Sequence, residues 1–133
     1  MGERCVNLLL DTHAFLWWVT DAPNLSALAR TAIADESNVV FVSAATAWEI
    51  ATKHRLGKLD EAAGAFERFT ELVAADGFLI LPVEAYHALK AGSYRVPHRD
   101  PFDRMLAAQA ELEGLRLVTR DPAFTQFRTD VYW

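Results

Sequence analysis

The apolar positions fall into short blocks whose period switches repeatedly between that of strand and that of helix. Residues 6–10, Val-Asn-Leu-Leu-Leu, are almost continuously apolar, as expected of a strand buried on both faces. Residues 12–19 then read as helix, broken by Ala22-Pro23-Asn24. Residues 25–34 place Leu25, Leu28, Ala29, Ala32 and Ile33 at helical spacing. Residues 39–42, Val-Val-Phe-Val, are β-branched and aromatic and predict a second strand. Ser43 is placed to cap a helix over residues 44–55, which Gly57 stops.

Residues 60–75 predict one further helix, ending near Gly77, with a core-facing stripe of Phe66, Phe69, Leu72 and Val73. Residues 78–81 predict a third strand and residues 84–91 a helix. The clearest helix signal covers residues 100–112, with Asp100-Pro101 at its start and Gly114 after its end. Residues 115–118 form a fourth predicted strand, and residues 131–133 a short fifth. Strands separated by helices imply βαβ crossovers, so the fold class is α/β with a mostly parallel sheet covered on both faces.

At 133 residues the chain is expected to form one domain with a real core. No repeat, linker or low-complexity segment interrupts it. A net charge of -5 argues against capture of nucleic acid by bulk charge alone, while leaving room for a local basic patch. Cys5 is the only cysteine, which rules out an internal disulfide and suits a reducing cytosol. Asp11, Thr12 and His13 cut the first apolar run too short for a membrane span, and no small-residue cleavage site follows it. A cytoplasmic protein is expected.

Four acids sit at the ends or edges of apolar segments: Asp11, Glu49, Asp103 and Asp121. Each has an ordinary structural role open to it. Asp11, Asp100 and Asp121 could cap helices, the last two helped by Pro101 and Pro122. Asp103 could complement a helix dipole, and Glu49 could be an exposed partner of Lys53 one turn on. A parallel sheet, however, collects its ligands outside the carboxyl ends of its strands, where Asp11 and Asp121 fall and which Glu49 and Asp103 can reach. Carboxylates brought together repel, and a hard divalent cation relieves that repulsion. Oxygen-only donors favour Mg²⁺ or Mn²⁺ over Zn²⁺. Water activated at such an ion can attack a phosphodiester.

Asp11-Thr12-His13, Trp48-Glu49-Ile50, His98-Arg99-Asp100-Pro101-Phe102-Asp103-Arg104 and Thr119-Arg120-Asp121 occur in that order. The ordered set closely resembles PIN-domain proteins, and among them the VapC-like toxins of type II toxin–antitoxin pairs, over essentially the whole chain. The resemblance implies a three-layer α/β/α sandwich and a metal-dependent endoribonuclease. It gives Asp11, Glu49, Asp103 and Asp121 the places of catalytic, metal-binding acids, with Mg²⁺ or Mn²⁺ as cofactor. Thr119 falls where the family often has a supporting hydroxyl, and Asp100 is either an accessory acid or only a cap. The implied partners are an RNA substrate, a cognate antitoxin protein and a second copy of the chain. A structured RNA cut in a loop fits the net charge of -5 better than broad degradation, and the resemblance suggests a tRNA.

Basic residues gather around these motifs: Arg95, His98, Arg99 and Arg104; Lys53, His54, Arg55 and Lys58; Arg116, Arg120 and Arg128. They could position RNA through phosphate contacts or form an ordinary solvated face, and Arg104 could instead neutralise nearby acids. His13, His87 and His98 lack metal-ligand spacing, although His13 lies close enough to Asp11 to meet substrate. Trp17 and Trp18 point about 100° apart on a helix, so one should enter the core and the other either the core or an interface. Two other readings stay open, a phosphohydrolase of small phosphoesters and a non-catalytic binding module. The first lacks a Gly-rich phosphate loop and an Asp-x-Asp nucleophile motif.

Overall fold

Leu8 and Leu10 point into one hydrophobic cluster and Leu9 into another, so the first strand is buried on both faces as its composition demands. A computed structural model describes residues 5–58 and 62–133. Its strands are β1 (Asn7–Leu10), β2 (Val39–Ser43), β3 (Leu79–Leu81), β4 (Arg116–Val118) and β5 (Val131–Tyr132). They form one sheet in the order β3-β2-β1-β4-β5, with every pairing parallel.

The helices are α1 (Thr12–Val19), α2 (Ala27–Ala34), α3 (Ala44–Arg55), α4 (Ala62–Glu67), α5 (Phe69–Ala75), α6 (Ala85–Ser93) and α7 (Pro101–Glu113). A 3-10 turn (Pro122–Gln126) joins β4 to β5. One cluster joins the sheet to α1, α2 and α5 through Phe15, Ile33 and Val73. The other joins the opposite face to α7 and the 3-10 turn through Leu106, Leu117 and Phe124. The result is the expected three-layer α/β/α sandwich. Among the described residues, no helix is long and apolar enough to cross a membrane.

The register fixes where the strands end together. Leu10 lies opposite Val42 on one side and Val118 on the other. The chain winds outward from β1 through β2 to β3, then returns to the far side of β1 with β4 and β5. The direction of winding therefore reverses at the β1–β4 boundary, where open parallel sheets leave a crevice beyond the strand ends. The Asp11 N–H donates to the Val118 carbonyl at 3.1 Å and continues the pairing into that crevice.

Helix boundaries follow their sequence signals. Ser43 Oγ accepts from the Ala45 N–H at 2.9 Å to start α3. Gly114, at φ 67°, closes α7 in the left-handed conformation that glycine adopts without a Cβ clash.

Two expectations need correction. The helix expected over residues 60–75 is two, α4 and α5, with Arg68 between them at φ -122° and ψ 24°. Its expected start at residues 60–61 lies outside the described residues. Of its stripe, Val73 is buried and Phe69 and Leu72 pack on the core, but Phe66 is exposed and stacks on His54 at 4.6 Å. In α2, Leu28 is 62% exposed. Ser26 caps that helix, its inward positions are Ala29 and Ile33, and Leu28, one residue before Ala29, lies about 100° around the helix from that face. Trp17 and Trp18 both pack, partly buried, against the same core cluster.

Candidate metal centre

Asp11 is the first residue beyond β1, and its carboxylate accepts from the Ala14 N–H at 2.7 Å to start α1. The cap it offers on sequence grounds is therefore real, but the side chain is also almost wholly buried at the rim. Thr12 turns inward and donates to Glu49 Oε1 at 2.6 Å. That bond ties α1 to α3 and draws Glu49 under the rim, where only 4% of it is exposed. Lys53, one helical turn on, places its ammonium 2.6 Å from Glu49 Oε2. The Glu49–Lys53 pair is as expected on sequence grounds, but it is internal rather than on the surface.

Helix α7 brings two more acids. Asp100 caps it, accepting from the Phe102 and Asp103 N–H groups at 2.8 and 3.2 Å. Asp103, in the first turn, accepts from His98 Nε2 at 2.8 Å. Beyond β4, buried Thr119 accepts from the Asp121 N–H at 3.0 Å, and Asp121 caps the 3-10 turn through the Ala123 N–H at 2.9 Å. Asp121 itself is exposed.

These segments meet around a small cavity of about 130 Å³. Asp11, Glu49, Asp100, Asp103 and Asp121 all border it, together with Thr12, His13 and the Lys53 ammonium. All four acids singled out from the sequence thus share one cavity, and Asp100 joins them. The roles that sequence reasoning missed are those of Thr12, which holds Glu49, and His98, which holds Asp103, together with the burial of the Glu49–Lys53 pair. Lys53 had a signal in its spacing from Glu49, but that spacing is also common on exposed helices.

Arg104 does not neutralise these acids. Its guanidinium donates to backbone carbonyls: Ala91 at 2.9 Å, Tyr94 at 2.5 Å, His98 at 2.8 Å and Val96 at 3.4 Å. It fastens the segment carrying His98 onto α7.

The electrostatics record the crowding. Asp11 is pushed up to about 6, first by burial and then by the negative charge of Glu49 and Asp121, against the Thr119 hydroxyl and the Ala14 N–H. Asp103 is also pushed up to about 6, by burial and by Asp100 and Glu49, against the hydrogen bond from His98. Burial works to lower the Lys53 ammonium, but its bond to Glu49 and the nearby charges of Asp100 and Asp103 raise it.

The raised carboxyls set a stability profile. In the unfolded chain they titrate near 3.8, so between about pH 4 and 6 the folded state binds protons more tightly. The stability they contribute is full in acid and is lost as pH rises through about 6. Asp35, Glu111 and Glu113 shift downward, so they act only below their ordinary values of 3.8 to 4.5. Metal-stripped protein should therefore be more stable at pH 5 than at pH 7.5, by on the order of 2 kcal/mol. Urea unfolding at the two pH values measures this, and a higher midpoint at pH 7.5 would contradict it.

The donor chemistry fits a hard divalent cation. All the acidic donors are oxygens, and their mutual repulsion is what such a cation would relieve. The cavity is not a preassembled cage: among the described residues, no three His, Cys, Asp or Glu side chains already converge as a ligand cluster. Mg²⁺ and Mn²⁺ suit this openness, since Mg²⁺ in particular usually keeps several waters and takes few carboxylates.

Comparisons with known proteins agree with this architecture. Curated protein sequences give no significant match. Among solved structures, VapBC2 from Rickettsia felis, bound to a DNA fragment from their promoter, aligns with TM-score 0.68 and 15% identity over 96% of this chain and 98% of that one. VapC20 of Mycobacterium tuberculosis, a sarcin-ricin loop cleaving toxin, aligns with TM-score 0.62 and 15% identity over 89% and 92% of the two chains. VapBC-5 of Mycobacterium tuberculosis, from the VapBC family of toxin-antitoxin systems, aligns with TM-score 0.62 and 18% identity over 96% of each. At these identities the likeness is one of fold. The sequence profile of the PIN domain matches residues 8–129, from the first strand past Asp121, and the chain belongs to the PIN domain family.

Proposed function

We propose that the protein is a divalent-cation-dependent endoribonuclease, acting in the cytoplasm as the toxin of a toxin–antitoxin pair. The observation that carries this is the shared cavity of five carboxylates at the rim where the sheet's winding reverses. Asp11, Glu49, Asp103 and Asp121 would hold Mg²⁺ or Mn²⁺, with Asp100 and Thr119 fixing the backbone that carries them. A bound ion there supplies Lewis acidity and water of lowered pKa, the chemistry that phosphodiester hydrolysis needs.

The chain's own residues supply the rest. His98 orients Asp103, and Thr12 and Lys53 hold Glu49 in place. Thr119 favours the ionised form of Asp11. The reading takes the whole chain as one PIN-like domain that forms a homodimer and is silenced by a cognate antitoxin. Toxin–antitoxin membership of VapBC-5, whose fold it shares, supports that partner.

Calorimetry on metal-stripped protein should show Mg²⁺ or Mn²⁺ binding that Asp11→Asn and Asp103→Asn each weaken about tenfold or more, consistent with the loss of a ligand. With either ion, the protein should cut total cellular RNA at discrete positions in a few loops when the new ends are sequenced. Evenly scattered ends would remove the loop preference. Hydrolysis of small phosphoesters without RNA cleavage would make it a phosphohydrolase, and no ion binding would leave a binding module.

A further inference from the structure

A second, larger depression of about 290 Å³ opens beside the acid cavity. It shares Asp11, His13 and Asp121 with that cavity and adds Trp17, Arg120 and Pro122. Its lining has a clear division of chemistry. His13 and Trp17 are one turn apart on α1, so they share a face, with ring centroids 5.4 Å apart. Arg120, on the segment after β4, lays its guanidinium over the Trp17 ring at 4.6 Å. Trp133 packs edge-on against Trp17 at 6.0 Å and holds that ring from another side. The parallel pairing of β1 with β4 is what brings His13 and Arg120 to one place, 107 positions apart in the chain.

Trp17 is half-buried and packed on the core, whereas His13 and Arg120 are exposed. A half-buried aromatic floor therefore carries two exposed polar groups. That combination suits a nucleotide. Base faces stack on aromatic rings and on guanidinium planes, and arginine also pairs with phosphate. The volume lies near the lower end of small-molecule pockets, roughly 300 Å³, which suits one ring system rather than a folded duplex. Arg120 is the only full cation among the depression's lining residues, which otherwise include two carboxylates. Within this depression, Arg120 is therefore where a phosphate is neutralised.

Resting on the nuclease reading above, we propose that His13, Trp17 and Arg120 form a subsite for one unpaired nucleotide flanking the phosphate that a cation at the carboxylates would receive. Its base stacks against His13 and the Arg120 plane above Trp17, and Arg120 neutralises its phosphate. The subsite selects single-stranded RNA and sets which linkage lies over the acids.

The test measures binding apart from cleavage. Asp103→Asn protein, unable to cut, is titrated into fluorescein-labelled single-stranded hexauridine with fluorescence anisotropy as the readout. Adding His13→Ala or Arg120→Ala should weaken binding about tenfold, within the range expected for one stacked base. Arg120→Lys should recover only part, because lysine keeps the charge and loses the plane. A hexamer with its bases replaced by abasic positions should bind the parent weakly and ignore the His13 substitution. Unchanged binding in both alanine variants, or no binding of hexauridine by the parent, overturns the subsite even if native protein cleaves RNA. Tenfold losses together with a native protein that cuts no RNA would keep the subsite and overturn the nuclease.

Discussion

Asp103→Asn should abolish RNA cleavage, by on the order of a thousandfold or more, and leave the protein at least as stable as the parent. The two effects have one origin. Asp103 is held ionised at neutral pH against burial and against Asp100 and Glu49, which is why it titrates near 6. An amide of the same shape removes the charge and so relieves the repulsion, while losing the ionic part of the His98 contact. The balance should raise stability by on the order of 1 kcal/mol at pH 7.5. Asp100→Ala is the control three residues away. It removes the cap on Phe102 and Asp103 and should cost about 1 kcal/mol. Melting curves and cleavage rates for the two variants decide between them. A stable but inactive Asp100→Ala beside an active Asp103→Asn would reverse the roles assigned here.

Arg104→Ala should be the most damaging single change away from the carboxylates. One guanidinium serves four carbonyls, three of them in the segment from Tyr94 to His98 and one, Ala91, near the end of α6. Hydrogen bonds from a charged donor contribute more than neutral ones, and removing it strands partly buried acceptors. A loss of about 3 kcal/mol follows, lowering Tm by roughly 10 °C for a chain of this size. Arg104→Lys should recover less than half, because an ammonium cannot reach the same carbonyls as a planar fork. Cleavage should fall as well, since His98 rides on the fastened segment. Thermal unfolding that leaves Arg104→Lys as stable as the parent would show that charge alone, and not the fork, holds the loop.

Much of this architecture could be read before any coordinates. Residues 6–10 announced a two-sided strand because no polar alternation interrupts them. The start of α3 at Ser43 and of α7 at Asp100-Pro101 were legible because caps act locally, through side chains next to the amides they satisfy. The four acids were legible because each interrupts or ends an apolar segment and because their motifs occur in one order along the chain. What escaped was non-local. Glu49 and Lys53 look like any exposed pair one turn apart until Thr12, from another helix, draws Glu49 inside. Arg104 looks like a countercharge because its true partners, carbonyls of a loop, come into range only when that loop folds. The turn at Arg68 and the outward Leu28 depend on which face each short helix offers the sheet, and local periodicity does not decide that.

The central place of β1 bears on synthesis. Asp11 and Glu49 leave the ribosome early, but their rim is closed only by β4, whose Val118 carbonyl takes the Asp11 N–H and which leads to Thr119 and Asp121. These contacts span more than a hundred positions, so they form after most of the chain has been made. Until β4 is in place, Asp11 and Glu49 lack the strand that closes their cavity. The carboxylate cavity is therefore complete only once the chain has been made as far as Asp121.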